Sequence, residues 1–114
     1  MNKQYTIFVL ENTVNGRTFV GATTDLDHTV RLENGKIPRK KSSSYTRQYR
    51  DGGEWNVRIV VEEFRRFEAL QIVRQLASTS RGKRGSPNLQ RRLIALAETL
   101  HHGNYPCQVC VQNQ

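Results

Sequence analysis

Tyr5-Thr6-Ile7-Phe8-Val9-Leu10-Glu11, then Asn15-Gly16, then Arg17-Thr18-Phe19-Val20-Gly21-Ala22-Thr23-Thr24-Asp25-Leu26: this stretch decides how the chain folds. Residues 5–11 are rich in aromatic and β-branched types, which suit a pleated surface. Side chains alternate across a strand, so Tyr5, Ile7 and Val9 share one face and Thr6, Phe8 and Leu10 the other. Both faces are mostly apolar, which predicts a central strand. Asn-Gly accepts the positive φ of a tight hairpin turn, so residues 17–21 return as the partner strand. Thr24 is placed to cap a helix whose first turn holds Asp25 and Asp27, carboxylates that suit the positive end of a helix. That helix is expected to run to about Leu32, with Gly35 as its stop.

Working outward, Pro38 and Arg39-Lys40-Lys41-Ser42-Ser43-Ser44 read as an exposed basic loop. Residues 44–50 predict a short helix with Tyr45 and Tyr49 on one face, one turn apart. Asp51-Gly52-Gly53 ends it. Asn56 to Glu63 predicts a third strand, with Val57, Ile59 and Val61 on one side and Arg58 and Glu62 on the other. Trp55 is expected to anchor it. Residues 66–78 predict a helix buried along Ala69, Ile72, Val73 and Leu76. Ser78 to Gly85 is a second basic loop. Ser86-Pro87 has the form of a cap followed by proline at the first helical position. The helix it would start has Leu89, Leu93, Leu96 and Leu100 on its apolar side, with Arg91 and Arg92 directed away from part of that side. Tyr105 to Gln114 reads as a tail with a short added strand. No internal repeat is present.

The charge pattern speaks about partners. The chain has 114 residues, a net charge of +8 and 36% hydrophobic residues, which fits one polar-rich domain. Asn34 to Arg50 contains six cations (Lys36, Arg39, Lys40, Lys41, Arg47, Arg50) and no acid. Ala69 to Ala97 contains six more (Arg74, Arg81, Lys83, Arg84, Arg91, Arg92), again without an acid. Glu54, Glu62, Glu63 and Glu68 lie outside these blocks. Such segregation is the footprint of a polyanion binder; the plainer alternative is a solubilising surface. No apolar run is long enough to span a membrane. The first residues enter a strand pattern without a signal-peptide core, and two cysteines fit a reducing compartment. A cytoplasmic location is therefore expected.

Thr6-Ile7-Phe8 and Phe19-Val20-Gly21, with ten residues between Phe8 and Phe19, resemble the paired tripeptides of the GIY-YIG nuclease family. Asp25-Leu26 after the hairpin and Glu68-Ala69-Leu70 at the later helix extend the resemblance from Tyr5 to about Ser78. It implies a single domain over 1–114, with its core at about 5–78 and a basic loop, C-terminal helix and tail over 79–114. The predicted fold is α+β: a small three-stranded antiparallel sheet flanked by helices, with a C-terminal helix and a short tail strand.

The resemblance also implies a missing active site. The family relies on two tyrosines, a helix arginine and a metal-binding glutamate. A metal and cations stabilise the transferring phosphoryl group while an activated water attacks. Here those positions fall on Phe8, Phe19, Thr29 and Val73, and a frequent histidine position falls on Glu33. Neighbours do not substitute. Arg31 is rotated about 200° from Thr29 and Glu68 roughly 140° from Val73, and Tyr5 lies on the opposite strand face from Phe8. No catalytic residue, cofactor or metal is therefore expected.

The leading expectation is a non-catalytic nucleic-acid-binding protein, for DNA or RNA, making mainly phosphate contacts with weak sequence preference. Its expected contacts are Lys36, Arg39, Lys40, Lys41, Tyr45, Arg47, Tyr49, Arg50, Arg81, Lys83, Arg84, Arg91 and Arg92. Tyr45 and Tyr49 among cations could stack bases or pack the short helix onto the sheet. The first alternative is a protein-interaction module or inhibitor using the altered nuclease face; the second is a diverged metal-dependent nuclease. Cys107 and Cys110 with His101 and His102 have the ligand count of a zinc site, against a plain tail with idle thiols. Arg81-Gly82-Lys83-Arg84-Gly85 lacks the strand–helix context of a nucleotide loop. The small size fits a viral or mobile-element product.

Overall fold

A doubly apolar segment has to sit where both of its faces are covered, and that is the place residues 5–12 take. The computed structural model describes residues 4–79, 88–103 and 110–111. Along them run β1 (Tyr5–Asn12), β2 (Thr18–Thr23), α1 (Leu26–Glu33), α2 (Ser44–Gln48), β3 (Trp55–Phe64), α3 (Arg66–Thr79), α4 (Leu89–His102) and β4 (Cys110–Val111). The fold is α+β. The sheet is antiparallel in the order β2-β1-β3-β4, with the two-residue β4 added outside β3. Arg81, Lys83, Arg84, Ser86, Pro87 and Cys107 lie outside the described residues. No helix among the described residues is long and apolar enough to cross a membrane.

Each face of the sheet has its own core. Ile7, Val9, Ile59 and Val61 pack against Ala69, Ile72 and Leu76 of α3 and Ala95, Leu96 and Leu100 of α4. Phe8, Leu10 and Trp55 form the second core with Leu26 and Val30 of α1, Tyr45 of α2 and Tyr49 just beyond it. Apolar burial at about 25 cal/mol per Å² makes both layers stabilising.

Val57 departs from the expected alternation. It packs with Trp55 and Leu10, on the face opposite Ile59 and Val61. The cause is a β-bulge: Val9 pairs with Ile59 but Leu10 pairs with Val57. Arg58 is thus an extra residue on β3, and an extra residue in one strand disrupts strict alternation. Its guanidinium forms an ion pair with Glu11.

The helix ends also differ in detail. The cap of α1 is Asp25, whose Oδ1 accepts from the His28 amide at 3.1 Å, and not Thr24. Thr23 takes the preceding role, its hydroxyl accepting from the Asp25 amide at 3.0 Å. Gly35 does terminate the helix, at φ +71°. Its amide bonds Leu32 O and the Lys36 amide bonds Arg31 O, the paired closure in which glycine adopts the left-handed conformation. α2 stops at Gln48 rather than at 50. α4 is capped by Asn88, whose Oδ1 accepts from the Arg91 amide at 2.9 Å, rather than by Ser86.

Candidate nucleic-acid interface

The face that carries Phe8 is filled by the protein's own rings. Phe8 and Phe19 stand 6.3 Å apart between centroids, Phe19 and Tyr45 6.1 Å, and Tyr45 and Trp55 6.0 Å. Trp55 is fully buried and donates its indole N–H to Thr46 O at 2.9 Å. Tyr45 therefore packs α2 onto the sheet, the second of the two roles the sequence offers for this ring. Thr29 donates to the Thr23 hydroxyl at 2.7 Å. Val73 lies elsewhere: it packs with the core on the α3–α4 side. The four positions at which the resemblance places the family's catalytic groups do not line one surface.

Glu33 organises the basic segment from below. It is buried, and its Oε1 accepts from the Ser43 amide at 2.8 Å and from the Thr46 hydroxyl at 2.9 Å. Ser43 in turn caps α2. Arg50 Nη2 donates to Glu33 O at 2.9 Å and to Ser42 Oγ at 3.2 Å. One carboxylate and one guanidinium thereby close the two ends of the segment that carries Arg39, Lys40 and Lys41.

The expected contact residues sort by what holds them. Arg39, Lys40, Lys41 and Arg47 are exposed, and among the described residues their side chains make no hydrogen bond or ion pair. Arg39 sits at φ +64°, in a turn closed by Lys40 N–H to Ile37 O at 3.4 Å. Arg91 is exposed as well. Lys36 bonds Glu54 at 3.0 Å in an exposed pair, an interaction weak enough to exchange for another anion. Arg50 ties the segment through Nη2 alone, while its buried Nε has no hydrogen-bond partner among the described residues.

Arg92 is the clearest correction. It is 8% exposed and donates from Nε to Thr18 Oγ1 at 2.9 Å. Burial lowers its pKa from the ordinary arginine value, with Tyr45 acting in the opposite direction. Its position on α4, between the buried Ala95–Leu96 row and the exposed Arg91, turns it toward β2.

Arg17 was absent from the sequence reading. Its guanidinium carbon lies 3.8 Å from the centroid of the Tyr49 ring. The signal the sequence holds for it is its place immediately after Asn15-Gly16, at the tip of a hairpin and outside both acid-free blocks. Among the described residues no group of three or more His, Cys, Asp or Glu is placed to hold a metal. No family model matches the chain, and no curated protein matches it.

Proposed function

We propose that this protein binds nucleic acid without cutting it, through phosphate contacts, on a scaffold akin to that of the GIY-YIG nucleases. The observation that carries the reading is the exposed, unpaired set Arg39, Lys40, Lys41 and Arg47, held by Glu33 and Arg50 on a stretch with no acid. A solvating surface interleaves charges of both signs and pairs many of them; this segment offers cations alone, as a phosphate backbone requires. The absence of cutting is supported by two phenylalanine rings in place of tyrosines and by Val73 packing on the other side of the sheet from Phe8 and Phe19. An intracellular location goes with this reading.

The test is binding of labelled duplex DNA, single-stranded DNA and RNA at low and moderate salt with magnesium, with the same samples run on a denaturing gel. Salt-sensitive binding, intact strands and a loss on Lys40→Glu are expected. No binding to any of the three rejects the proposal; cleaved strands reject its non-catalytic part.

A protein-interaction role is favoured by a different observation. Phe67 is 76% and Leu70 46% exposed, on the side of α3 that faces away from Ala69, Ile72 and Leu76. A salt-tolerant protein complex lost on Phe67→Ser would support it. The Phe8 face, closed by its own rings, is a poorer place for such a partner.

A further inference from the structure

The tip of the β1–β2 hairpin is tied to the connection between α2 and β3. Asn12 Nδ2 donates to Tyr49 O at 3.2 Å and to Arg50 O at 3.1 Å. Asn15 Nδ2 donates to Tyr49 O at 2.7 Å and to Asp51 Oδ2 at 2.6 Å. The Thr13 amide bonds Glu54 O at 2.9 Å, and the Glu54 amide bonds the Thr13 hydroxyl at 3.0 Å. These contacts fix the backbone beneath Tyr49, whose ring also leans on Tyr45 at 5.1 Å.

Arg17 lies over this platform, its guanidinium carbon 3.8 Å from the Tyr49 ring centroid. Among the described residues its guanidinium donates no hydrogen bond and forms no ion pair; the Asp51 carboxylate accepts from Asn15. A guanidinium stacked on an aromatic ring is oriented in advance, while its N–H edge stays open in the plane. That open fork matches two oxygens of a phosphate, which it can bind bidentately. Holding the side chain before the ligand arrives lowers the ordering cost of binding. The next cation-bearing segment, with Arg47 in α2, enters the same connection through Tyr49 and Arg50.

We infer that Arg17 is a phosphate-binding residue and that Tyr49 is its positioning residue rather than a base-stacking ring. The inference rests on the nucleic-acid reading above and adds a contact to it. A phosphate contact acts through charge and fork geometry, so its removal weakens binding equally across sequences.

The test measures affinity of the full chain for labelled duplex and single-stranded oligonucleotides across a salt series. Arg17→Ala is expected to weaken binding about tenfold near ~0.1 M salt and to reduce the log–log salt slope by about one. Arg17→Lys keeps the charge, so the slope stays and affinity falls a few-fold. Tyr49→Phe changes neither quantity; Tyr49→Leu lowers affinity and leaves the slope. Thermal unfolding of each variant confirms that it is folded, and Arg17→Lys carries the test if the alanine variant is not. Binding by the unaltered protein with Arg17→Ala equal to it in affinity and slope overturns this inference alone. A loss confined to guanine-containing strands overturns the phosphate assignment in favour of base reading. Failure of the unaltered protein to bind removes the broader proposal and this one together.

Discussion

Phe8 lies across the β1–β2 ladder from Gly21, its register partner, and a Cβ built at position 21 would stand 2.6 Å from Phe8 Cζ. That carbon is the one that would carry the hydroxyl of a tyrosine; here the ring covers the glycine and carries no oxygen. Phe8 is almost fully buried and has little room to yield. Gly21→Ala is expected to cost about 2 kcal/mol in urea unfolding, a typical overpacking penalty. The cost should shrink in a Phe8→Leu background, a coupling that a double-mutant cycle measures; an equal cost in both backgrounds would clear Phe8 of the clash. Arg92 makes the opposite point about burial. Replacing Arg92 with methionine removes the desolvation cost of a buried charge, and the small Thr18 hydroxyl it leaves can still donate elsewhere. Arg92→Met should therefore keep or raise the unfolding midpoint and leave nucleic-acid affinity within about twofold, the scale of a change under 0.5 kcal/mol. A folded Arg92→Met variant with sharply weaker binding would return this residue to the interface.

At the scale of elements, the basic stretch between α1 and α2 is tied at its ends by a few polar contacts, while α2 itself packs on the second core. Removing the Glu33 carboxylate orphans the Ser43 amide and takes one partner from the Thr46 hydroxyl, which keeps Ser43 O and Oγ. Glu33→Ala should cost about 2 kcal/mol, within the range for unsatisfied buried groups, and should speed amide exchange at Ser43 and Thr46. Unchanged exchange there would show that the segment is held by other means. The elements themselves were legible in the sequence because periodicity reports them: the doubly apolar run became the central strand, and Ala69, Ile72 and Leu76 became the buried stripe of α3. Finer features were hidden where local chemistry offers equivalent choices. Thr24 and Asp25 are both good caps, and only the exit of β2 at Thr23 decides between them. The face taken by Val57 depends on a bulge that leaves no mark in the alternation. Charge was readable as a block, but its division into the free Lys40, the tied Arg50 and the buried Arg92 depends on partners distant in sequence: Arg50 on Glu33 and Arg92 on Thr18. Arg17 escaped for the same reason, since its value comes from Tyr49.

For the molecule as a whole, the two cores divide the surface. α3 and α4 cover one face of the sheet, α1 and α2 the other, and the unpaired cations of residues 39–47 project from the second side's connection. On the proposed nucleic-acid reading, counterion release makes affinity fall linearly with salt on a log–log scale, by about 0.9 per phosphate neutralised on duplex DNA. Phe67→Ser, on the far side of α3 from the core, should shift stability by less than about 0.5 kcal/mol and leave that salt slope intact. A changed slope would place α3 within the nucleic-acid footprint.

The polar ties between residues 12–15 and 49–54 also make a kinetic unit. They join the hairpin tip to a turn more than thirty positions away, so neither turn can open alone. Amide protons of Thr13, Val14, Asn15 and Glu54 are expected to exchange with one common opening free energy, as members of a single cooperative unit. An oligonucleotide seated on Arg17 should slow all four by the same factor, because it binds only the closed form. The chain between the ties, with β2, α1 and the basic stretch, is then closed at both ends by these contacts.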